Sequence, residues 1–362
     1  MNHYLRNLTS VFLIAAAGIS LSGCGHSETL LYEPETGTGV SSAVTELAAR
    51  TENLSLLHAD IQDLISEYPM LATQDYAGLG FFCFTDVADA QDKIDAEKLP
   101  VQDGSLALDL NFYVYSNKET DYGISGSFVM FWNDQVCDFA VDGVQSKDGF
   151  LKMNLPYNQD VKVPFLAEKL PVQEGQNTFC FCFFPYCAAE GEYLTPQRLI
   201  GHYESAEARD GIALNEIVAE NQLDPAGIQV ATDQEEANSV DLVNRDDLIS
   251  SESKGVNMLF RLRQNPTFYF NILNTQEEVP SNRSGIMMML KDGELQPVWN
   301  GRKYAAVSLT DKELKKQIAV KTDYSVGEQH DLLMVYSEMQ SDPSPYEIPL
   351  MYSDGCSCKI EE

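Results

Sequence analysis

The spacing of apolar residues predicts one long helix near the start of the chain. Apolar side chains recur mostly at intervals of three, four and seven between residues 42 and 68, as on one face of an α-helix. Ser41 or Ser42 is a suitable N-cap, and Pro69 would end the helix. The residues on this face are Val44, Leu47, Leu54, Leu57, Ile61, Leu64 and Ile65. We therefore expect an N-terminal helical segment over 43–75.

From residue 76 onwards the pattern changes to short apolar runs separated by turn residues. The runs fall at 106–115, 126–132, 136–141, 150–155, 161–165 and 178–184. The turn residues between them include Asn133 and Asp134, Asp142 and Gly143, Asp148 and Gly149, and Glu174 and Gly175. Short strands with turn signals about every eight to twelve residues are typical of an all-β sandwich. The pattern predicts a first β-sandwich domain over 76–190.

This block recurs once along the chain. Residues 127–143 align with 285–301 at an offset of 158. Further matches join 111–113 to 267–269, and 175–184 to 327–336. Identities are few, so either an internal duplication or the convergence of two sandwiches explains the match. Each block is close to the size of an immunoglobulin-like domain. We expect a mainly β protein with two tandem immunoglobulin-like β-sandwiches, the second over 256–341.

The segments around the second block have different compositions. Residues 191–255 are acidic and mixed, and Ile212, Ile217 and Val218 are spaced as in a helix over 206–222. A structureless loop of this length is unusual inside one domain, so we expect an acidic interdomain connector with one helix. Residues 342–362 contain three prolines and the sequence Cys356-Ser357-Cys358, which indicates a C-terminal tail.

The first 24 residues have the layout of an export signal. Val11 begins an apolar run of eleven residues that ends at Leu21, which is too short to span a membrane comfortably. The sequence Leu21-Ser22-Gly23-Cys24 resembles the lipobox of bacterial lipoproteins. The resemblance implies cleavage of a signal peptide over 1–23 and attachment of acyl chains such as palmitate to Cys24. Residues 24–42 would then be a flexible tether, and the protein would be anchored to the cell membrane or envelope on its extracytoplasmic side.

Charge narrows the range of partners. After removal of the signal, which holds one Arg, the chain has 23 basic and 55 acidic residues, a formal net charge of 23 − 55 = −32. Nucleic-acid binding depends on Lys and Arg, so we expect no nucleic-acid partner. A protein or glycan partner is compatible with this charge. The acids Asp86, Asp89, Asp92 and Asp95 recur at every third residue without the ligand order of a calcium loop, and we expect neither a metal nor a cofactor.

Seven cysteines follow Cys24, and an exported protein permits disulfides. Cys137 could pair with Cys180 or Cys182 across the first sandwich. The alignment instead places Leu295 opposite Cys137, and Leu332 and Met334 opposite the other two. Apolar residues at the matched positions favour buried thiols. For Cys356 and Cys358 we expect a strained bridge, or a bridge to the body of the protein.

No catalytic motif is found. The chain has no His-Glu-x-x-His, no Gly-x-Ser-x-Gly, no phosphate loop and no dinucleotide-binding glycine motif. Four aromatic residues, Tyr113, Tyr115, Trp132 and Trp299, are weak candidates for a ligand-binding platform, with core packing as the alternative. We therefore expect a lipid-anchored binding, adhesion or spacer module without catalytic residues. The alternatives are a solute-binding lipoprotein of a transporter and an envelope hydrolase with paired carboxylates.

Overall fold

The computed structural model describes residues 77–83, 99–116, 124–155, 159–194, 196–237, 241–254, 257–274, 282–338 and 351–362. The signal, the tether and the helical segment expected over 1–75 lie outside these ranges, as do Cys24 and the four aspartates between 86 and 95. Among the described residues, none belongs to a helix long and apolar enough to cross a membrane.

The described residues between 77 and 205 form two antiparallel sheets. Its strands are β1 (Ala77–Cys83), β2 (Val101–Gln102), β3 (Ser105–Ser116), β4 (Ile124–Trp132), β5 (Gln135–Val136), β6 (Ala140–Val141), β7 (Val144–Gln145), β8 (Phe150–Asn154), β9 (Gln159–Ala167), β10 (Gly175–Cys187), β11 (Glu192–Tyr193) and β12 (Gln197–Ser205). The outer sheet has the order β1-β3-β9-β6-β7, and the inner sheet has the order β12-β10-β4-β8. This is the arrangement of an immunoglobulin-like sandwich, with β6 in the place of the usual fourth strand of the outer sheet.

The second half repeats this architecture. Its strands are β13 (Ile217–Val218), β14 (Ile228–Ala231), β15 (Leu248–Lys254), β16 (Asn257–Leu262), β17 (Thr267–Leu273), β18 (Arg283–Lys291), β19 (Glu294–Leu295), β20 (Tyr304–Leu309), β21 (Lys315–Lys321), β22 (Gln329–Glu338) and β23 (Met351–Ile360). The inner sheet has the order β13-β20-β18-β22-β23-β16-β15, and the outer sheet has the order β14-β21-β17. Helical structure in the described residues consists of Glu220–Gln222, Pro225–Gly227 and Gln234–Ala237. The prediction of a mainly β protein with two sandwiches is confirmed.

In the part of the chain that the structure describes, three hydrophobic cores lie between four sheets. Two of them fill the individual sandwiches. The third lies between the two inner sheets and joins the sandwiches face to face. Its members are Val129, Phe131, Val136, Cys180, Cys182, Phe184, Tyr186, Tyr193, Ile286, Met288, Leu290, Leu295, Tyr304, Leu333 and Val335. The described molecule is therefore a stack of four β layers, in which the inner sheets are buried on both faces.

The composition of the inner strands explains this burial. Every residue of β4 is buried, and all but the first two residues of β22 are buried. Strands covered on both faces have continuous apolar runs, whereas strands with one solvated face alternate apolar and polar residues. Phe128 and Phe183, with ring centroids 4.8 Å apart, pack inside the first sandwich, while Phe131 contacts Tyr304 of the second sandwich at 5.5 Å.

The aligned segments occupy equivalent strands, but the sequence alignment of the inner strands is one residue out of register. Val136 pairs with Phe131, and Leu295 pairs with Leu290, so the structural offset in this hairpin is 159. A shift of one residue in a strand moves every side chain to the other face. Because these strands are apolar at successive positions, apolar and polar residues do not alternate along them, and the sequence alignment cannot detect a shift of one residue.

The acidic connector predicted over 191–255 is wrong as a separate segment, because its described residues belong to both sandwiches. β12 completes the inner sheet of the first sandwich, and β13, β14 and β15 add to the sheets of the second. No helix spans 206–222. Ile217 and Val218 pair with β20 instead, because long-range pairing overrides a local helical spacing.

An ion pair fixes part of this segment to the second sandwich. The ammonium of Lys316 lies 2.7 Å from a carboxylate oxygen of Glu220 and donates a hydrogen bond to the Ser308 carbonyl. Burial opposes ionisation of Glu220, but hydrogen bonds from Lys316 and Ser308 outweigh it and hold its pKa below the usual value.

The C-terminal tail predicted over 342–362 is also wrong for its described part. β23 lies between β22 and β16, in the interior of the inner sheet of the second sandwich. Cys356 and Cys358 are buried in its core, where they pack among apolar side chains. The second sandwich therefore extends to Ile360.

Candidate functional site

A groove of about 500 Å³ opens at the end of the first sandwich where β4, β9 and β12 finish. Three pieces of chain form its walls: the turn after β4, the β9–β10 connection and the segment that follows β12. Its polar lining consists of Asn133, Gln135, Gln173, Arg209 and Asp210. We call this feature the loop-end groove.

Asn177 fixes two walls of the loop-end groove to each other. Its side chain is fully buried. Its amide oxygen accepts hydrogen bonds from the side-chain amide of Asn133 at 2.7 Å and from the backbone N–H of Gln173 at 2.9 Å. Its own NH₂ donates to the carbonyls of Gln173 and Gly175 at 2.9 and 3.1 Å. The turn and the β9–β10 connection are thus held in one geometry by a single satisfied amide.

The third wall is an extended segment, where the sequence predicts a helix. The backbone N–H of Arg209 donates to Val172, and that of Ile212 donates to Lys169, each at 2.7 Å. A side chain on Gly211 would lie 2.3 Å from backbone atoms of Leu170 and Pro171, so only glycine permits this close approach. The segment then continues to Leu214, which donates to the carbonyl of Val136 at 2.8 Å.

The groove exposes groups that are available to a ligand. Within the described residues, no hydrogen bond or ion pair holds the side chain of Gln135 or of Asp210. Arg209 is already paired with Asp103 at 2.7 Å. The free lining therefore offers an amide and a carboxylate.

The aromatic candidates do not form a platform. Trp132 is fully buried in the core of the first sandwich, and its indole N–H donates to the Pro171 carbonyl at 3.1 Å, beneath the groove. Trp299 is buried in the core of the second sandwich against Phe270, so the two tryptophans lie in different cores. Tyr113 and Tyr115 lie on β3, and their side chains fall outside the described part of the chain. The tryptophans are core residues, which corrects their assignment as ligand-binding candidates.

A second polar site lies at the junction of the sandwiches, and no motif in the sequence indicates it. The turn between β18 and β19, formed by Asp292 and Gly293, enters a socket on the first sandwich. The backbone N–H of Gly293 donates to the Tyr193 hydroxyl at 2.8 Å, and its carbonyl accepts from the Ser127 hydroxyl at 2.5 Å. Lys152 donates to the Asp292 carbonyl at 3.2 Å. The first sandwich therefore satisfies three backbone groups of this turn.

Buried polar side chains extend this junction. The carboxylate of Asp331 accepts hydrogen bonds from the hydroxyls of Tyr186 at 2.9 Å and Ser357 at 2.6 Å. Asp292 accepts from the Asp331 backbone N–H and contacts the His330 ring at 2.8 Å. Burial and the neighbouring Asp331 raise the pKa of Tyr186, so its hydroxyl stays a donor to Asp331 at neutral pH.

The prediction of buried thiols is confirmed for Cys137, Cys180 and Cys182, although the alignment assigned them the wrong counterparts. By strand pairing, Cys180 and Cys182 correspond to Leu333 and Val335. Cys358 is also a buried thiol, so the bridge expected for it is wrong. Burial raises the pKa of Cys137 and of Cys358 to about 12, which keeps both in the unreactive protonated form.

The two alternatives to a binding module gain no support from the described residues. A transporter clamshell requires alternating strands and helices, whereas the helical elements here are three or four residues long. Burial raises the pKa of the Asp134 carboxyl, but no neighbouring carboxylate contributes to that shift. No cluster of three or more metal-ligating side chains (His, Cys, Asp or Glu) is found in the described part of the chain.

No family model and no curated protein matches the chain. Among solved structures, the calcium binding domain CBD12 of CALX1.1 aligns at 10% identity over 72% of this chain and 94% of its own, with a TM-score of 0.18. The C-terminal domain of the Streptococcus pyogenes antigen I/II-family protein AspA aligns at 8% identity over 79% and 99%, with a TM-score of 0.20. A beta-glucuronidase from glycoside hydrolase family 2 aligns at 9% identity over 70% and 24%, with a TM-score of 0.18. TM-scores this low do not establish a common fold or function. The immunoglobulin-like arrangement follows from the order of the strands.

Proposed function

We propose that this protein is a lipid-anchored, extracytoplasmic binding module without catalytic activity, and that its loop-end groove holds a polypeptide segment of a partner protein. The observation that carries the proposal is the groove itself, whose walls are fixed by Asn177 and by the close approach at Gly211. A pre-formed concave surface with a few polar groups is the usual form of a binding site.

The lining favours a peptide over a glycan. Sugar sites commonly present an exposed aromatic face, and none of the described residues that line the groove is aromatic. Amide and carboxylate groups, such as those of Gln135 and Asp210, suit the N–H and C=O groups of a polypeptide. The net charge of the mature chain, −32, favours a partner segment that carries Lys or Arg.

The third core makes the pair of sandwiches rigid. Two sandwiches joined only by a linker would reorient freely, whereas an interface with a hydrophobic core and a docked turn holds them as one body. An anchor at Cys24 would then present the groove on a rigid support above the membrane.

Binding is tested with a library of basic and neutral peptides presented to the full chain. We expect the best peptides to bind the wild-type protein at least tenfold more tightly than the double variant Gln135→Ala and Asp210→Asn. The matched control is Lys147→Ala, an exposed change on the same sandwich away from the groove, which should leave affinity unchanged. Equal binding by the double variant would contradict the proposal, and so would selective binding of glycans.

The anchor is tested separately. Replacing Cys24 by Ala should move the protein from the membrane fraction to the soluble fraction of expressing cells. Replacing the buried Cys137 by Ser is the control and should leave the distribution unchanged. Membrane retention of the Cys24→Ala variant would refute lipid attachment at this residue.

A further inference from the structure

Three side chains form a nearly equilateral triangle inside the third core. The sulfur atoms of Cys180 and Cys182 are 3.9 Å apart, and the hydroxyl oxygen of Ser337 lies 4.0 and 3.9 Å from them. The cysteines belong to β10 of the first sandwich and the serine to β22 of the second. All three residues are buried, with at most 1% of their surface exposed.

The triangle has the dimensions of a three-coordinate metal site. A point equidistant from the corners of an equilateral triangle with sides of about 3.9 Å lies about 2.3 Å from each corner, which is the usual length of a metal–thiolate bond. The two sulfur atoms project from the same face of one strand, because residues i and i+2 share a face. No backbone movement is needed for both to contact one ion.

Charge selects the kind of ion. Arg198 lies opposite Cys182 in the strand pairing, and its guanidinium donates to the Ser337 hydroxyl at 2.9 Å and to the Glu338 carbonyl at 2.6 Å. Two thiolates with one monovalent cation carry a charge of −1, which this guanidinium neutralises. A divalent cation would neutralise the two thiolates but leave the charge of the half-buried guanidinium unbalanced, whereas a monovalent cation brings the net charge of the whole site to zero. Thiolate ligands also favour soft metals.

We propose that Cys180, Cys182 and Ser337 form a binding site for a soft monovalent cation of the Cu(I) type at the junction of the two sandwiches. Binding forms two S–Cu bonds and breaks two S–H bonds, and both protons pass to the solvent. Copper stays Cu(I), so no oxidant or reductant is needed. The Ser337 hydroxyl is the weaker third ligand, and the bound ion joins the first sandwich to the second.

The test is an anaerobic titration of the full chain with Cu(I) supplied as its bicinchoninate complex. We expect the wild-type protein to remove one equivalent of Cu(I) from the chelator. The Cys180→Ser and Cys182→Ser variants should each bind at least 100-fold more weakly, and Ser337→Ala about tenfold more weakly. The Cys137→Ser variant, which changes a buried thiol of another core, should bind as the wild type does.

Thermal unfolding provides the second measurement, since a ligand that binds only the native state raises Tm. Cu(I) should raise the Tm of the wild-type and Cys137→Ser proteins and leave that of Cys182→Ser unchanged. The Tm of each variant without metal shows that it folds. Retention of the tight equivalent by Cys182→Ser, no uptake by the wild type, or tighter binding of Zn(II) than of Cu(I) would overturn the proposal.

Discussion

At the scale of single residues, the junction depends on a glycine position where the first sandwich leaves little space for a side chain. Gly293 has a φ of +78° in the β18–β19 turn and is buried in the socket of the first sandwich. A Cβ at this position would lie 3.0 Å from the Lys152 ammonium and 3.2 Å from the Tyr186 ring. Gly301 has the same φ but open space around it, so the two glycines separate backbone strain from contact with the other sandwich.

We predict that Gly293→Ala lowers the free energy of unfolding by about 1 to 2 kcal/mol more than Gly301→Ala does. Both changes introduce a side chain at a positive φ, which costs about 1 kcal/mol. The excess at Gly293 comes from crowding in the socket and from weaker hydrogen bonds to its backbone. Urea unfolding of the two variants measures the difference, and equal losses would show that the socket does not constrain the turn.

Buried thiols should make the folded protein less stable at alkaline pH. Cys137 has an ordinary pKa of 9.0 and a folded pKa of about 12, raised by burial and by Asp138. Its contribution to stability is complete below pH 9 and is lost as the pH rises towards 12, because the unfolded thiol ionises first. Within this range the loss approaches about 1.4 kcal/mol per pH unit.

Unfolding measured between pH 9 and 11 under reducing conditions tests this prediction. The slope of unfolding free energy against pH should be smaller by about 1.4 kcal/mol per pH unit in Cys137→Ala than in the wild type. Val136→Ala removes a neighbouring buried side chain without a titratable group, so its slope should match that of the wild type. An unchanged slope in Cys137→Ala would show that this thiol titrates normally.

At the scale of elements, turns were predictable and strand partners were not. Asn133 and Asp134, like Asp142 and Gly143, were predicted as turn residues, and all four have positive φ values, because few other residues tolerate that conformation. By contrast, Ile217 and Val218 had a helical spacing but form β13, whose partner β20 lies far along the chain. Local sequence carries the requirements of a turn, whereas strand pairing depends on distant residues.

β23 provides the clearest test of an element that the sequence misidentified. A chain that ends at residue 350 lacks the strand between β22 and β16 and leaves both with unpaired backbone groups. We predict that this chain loses cooperative unfolding of the second sandwich in near-UV circular dichroism. The control ends at Ile360 and loses the ion pairs of Glu361 with Arg261 and Lys359 and one backbone hydrogen bond from Glu361 to Leu262, but it keeps the whole strand. Ion pairs near the surface contribute little to stability, so this control should unfold cooperatively. A folded second sandwich without β23 would contradict its central position.

At the scale of the whole molecule, the sequence predicted two sandwiches but not that their inner sheets pack against each other. The runs that include Phe131 and Val335 are apolar at successive positions, and such runs fit either a single core or a strand buried on both faces. Without alternation, the sequence does not reveal which face contacts a neighbouring domain. The loop-end groove was missed for the same reason, since its three walls become adjacent only after folding.

The third core should make the two sandwiches behave as one rigid body. Gln145 lies on β7 in the outer sheet of the first sandwich, and Lys321 lies on β21 in the outer sheet of the second. Four sheets spaced about 10 Å apart place these outer layers at least about 30 Å from each other. Both side chains are exposed and therefore suitable for spin labels.

The most direct measurement is the distance distribution between spin labels at Gln145→Cys and Lys321→Cys, by double electron–electron resonance in frozen solution. A rigid stack predicts a single narrow distribution that stays unchanged when the concentration of urea is raised to just below the unfolding transition. A broad or multimodal distribution in native buffer would show that the sandwiches reorient freely, and would contradict the third core as the feature that unites the molecule.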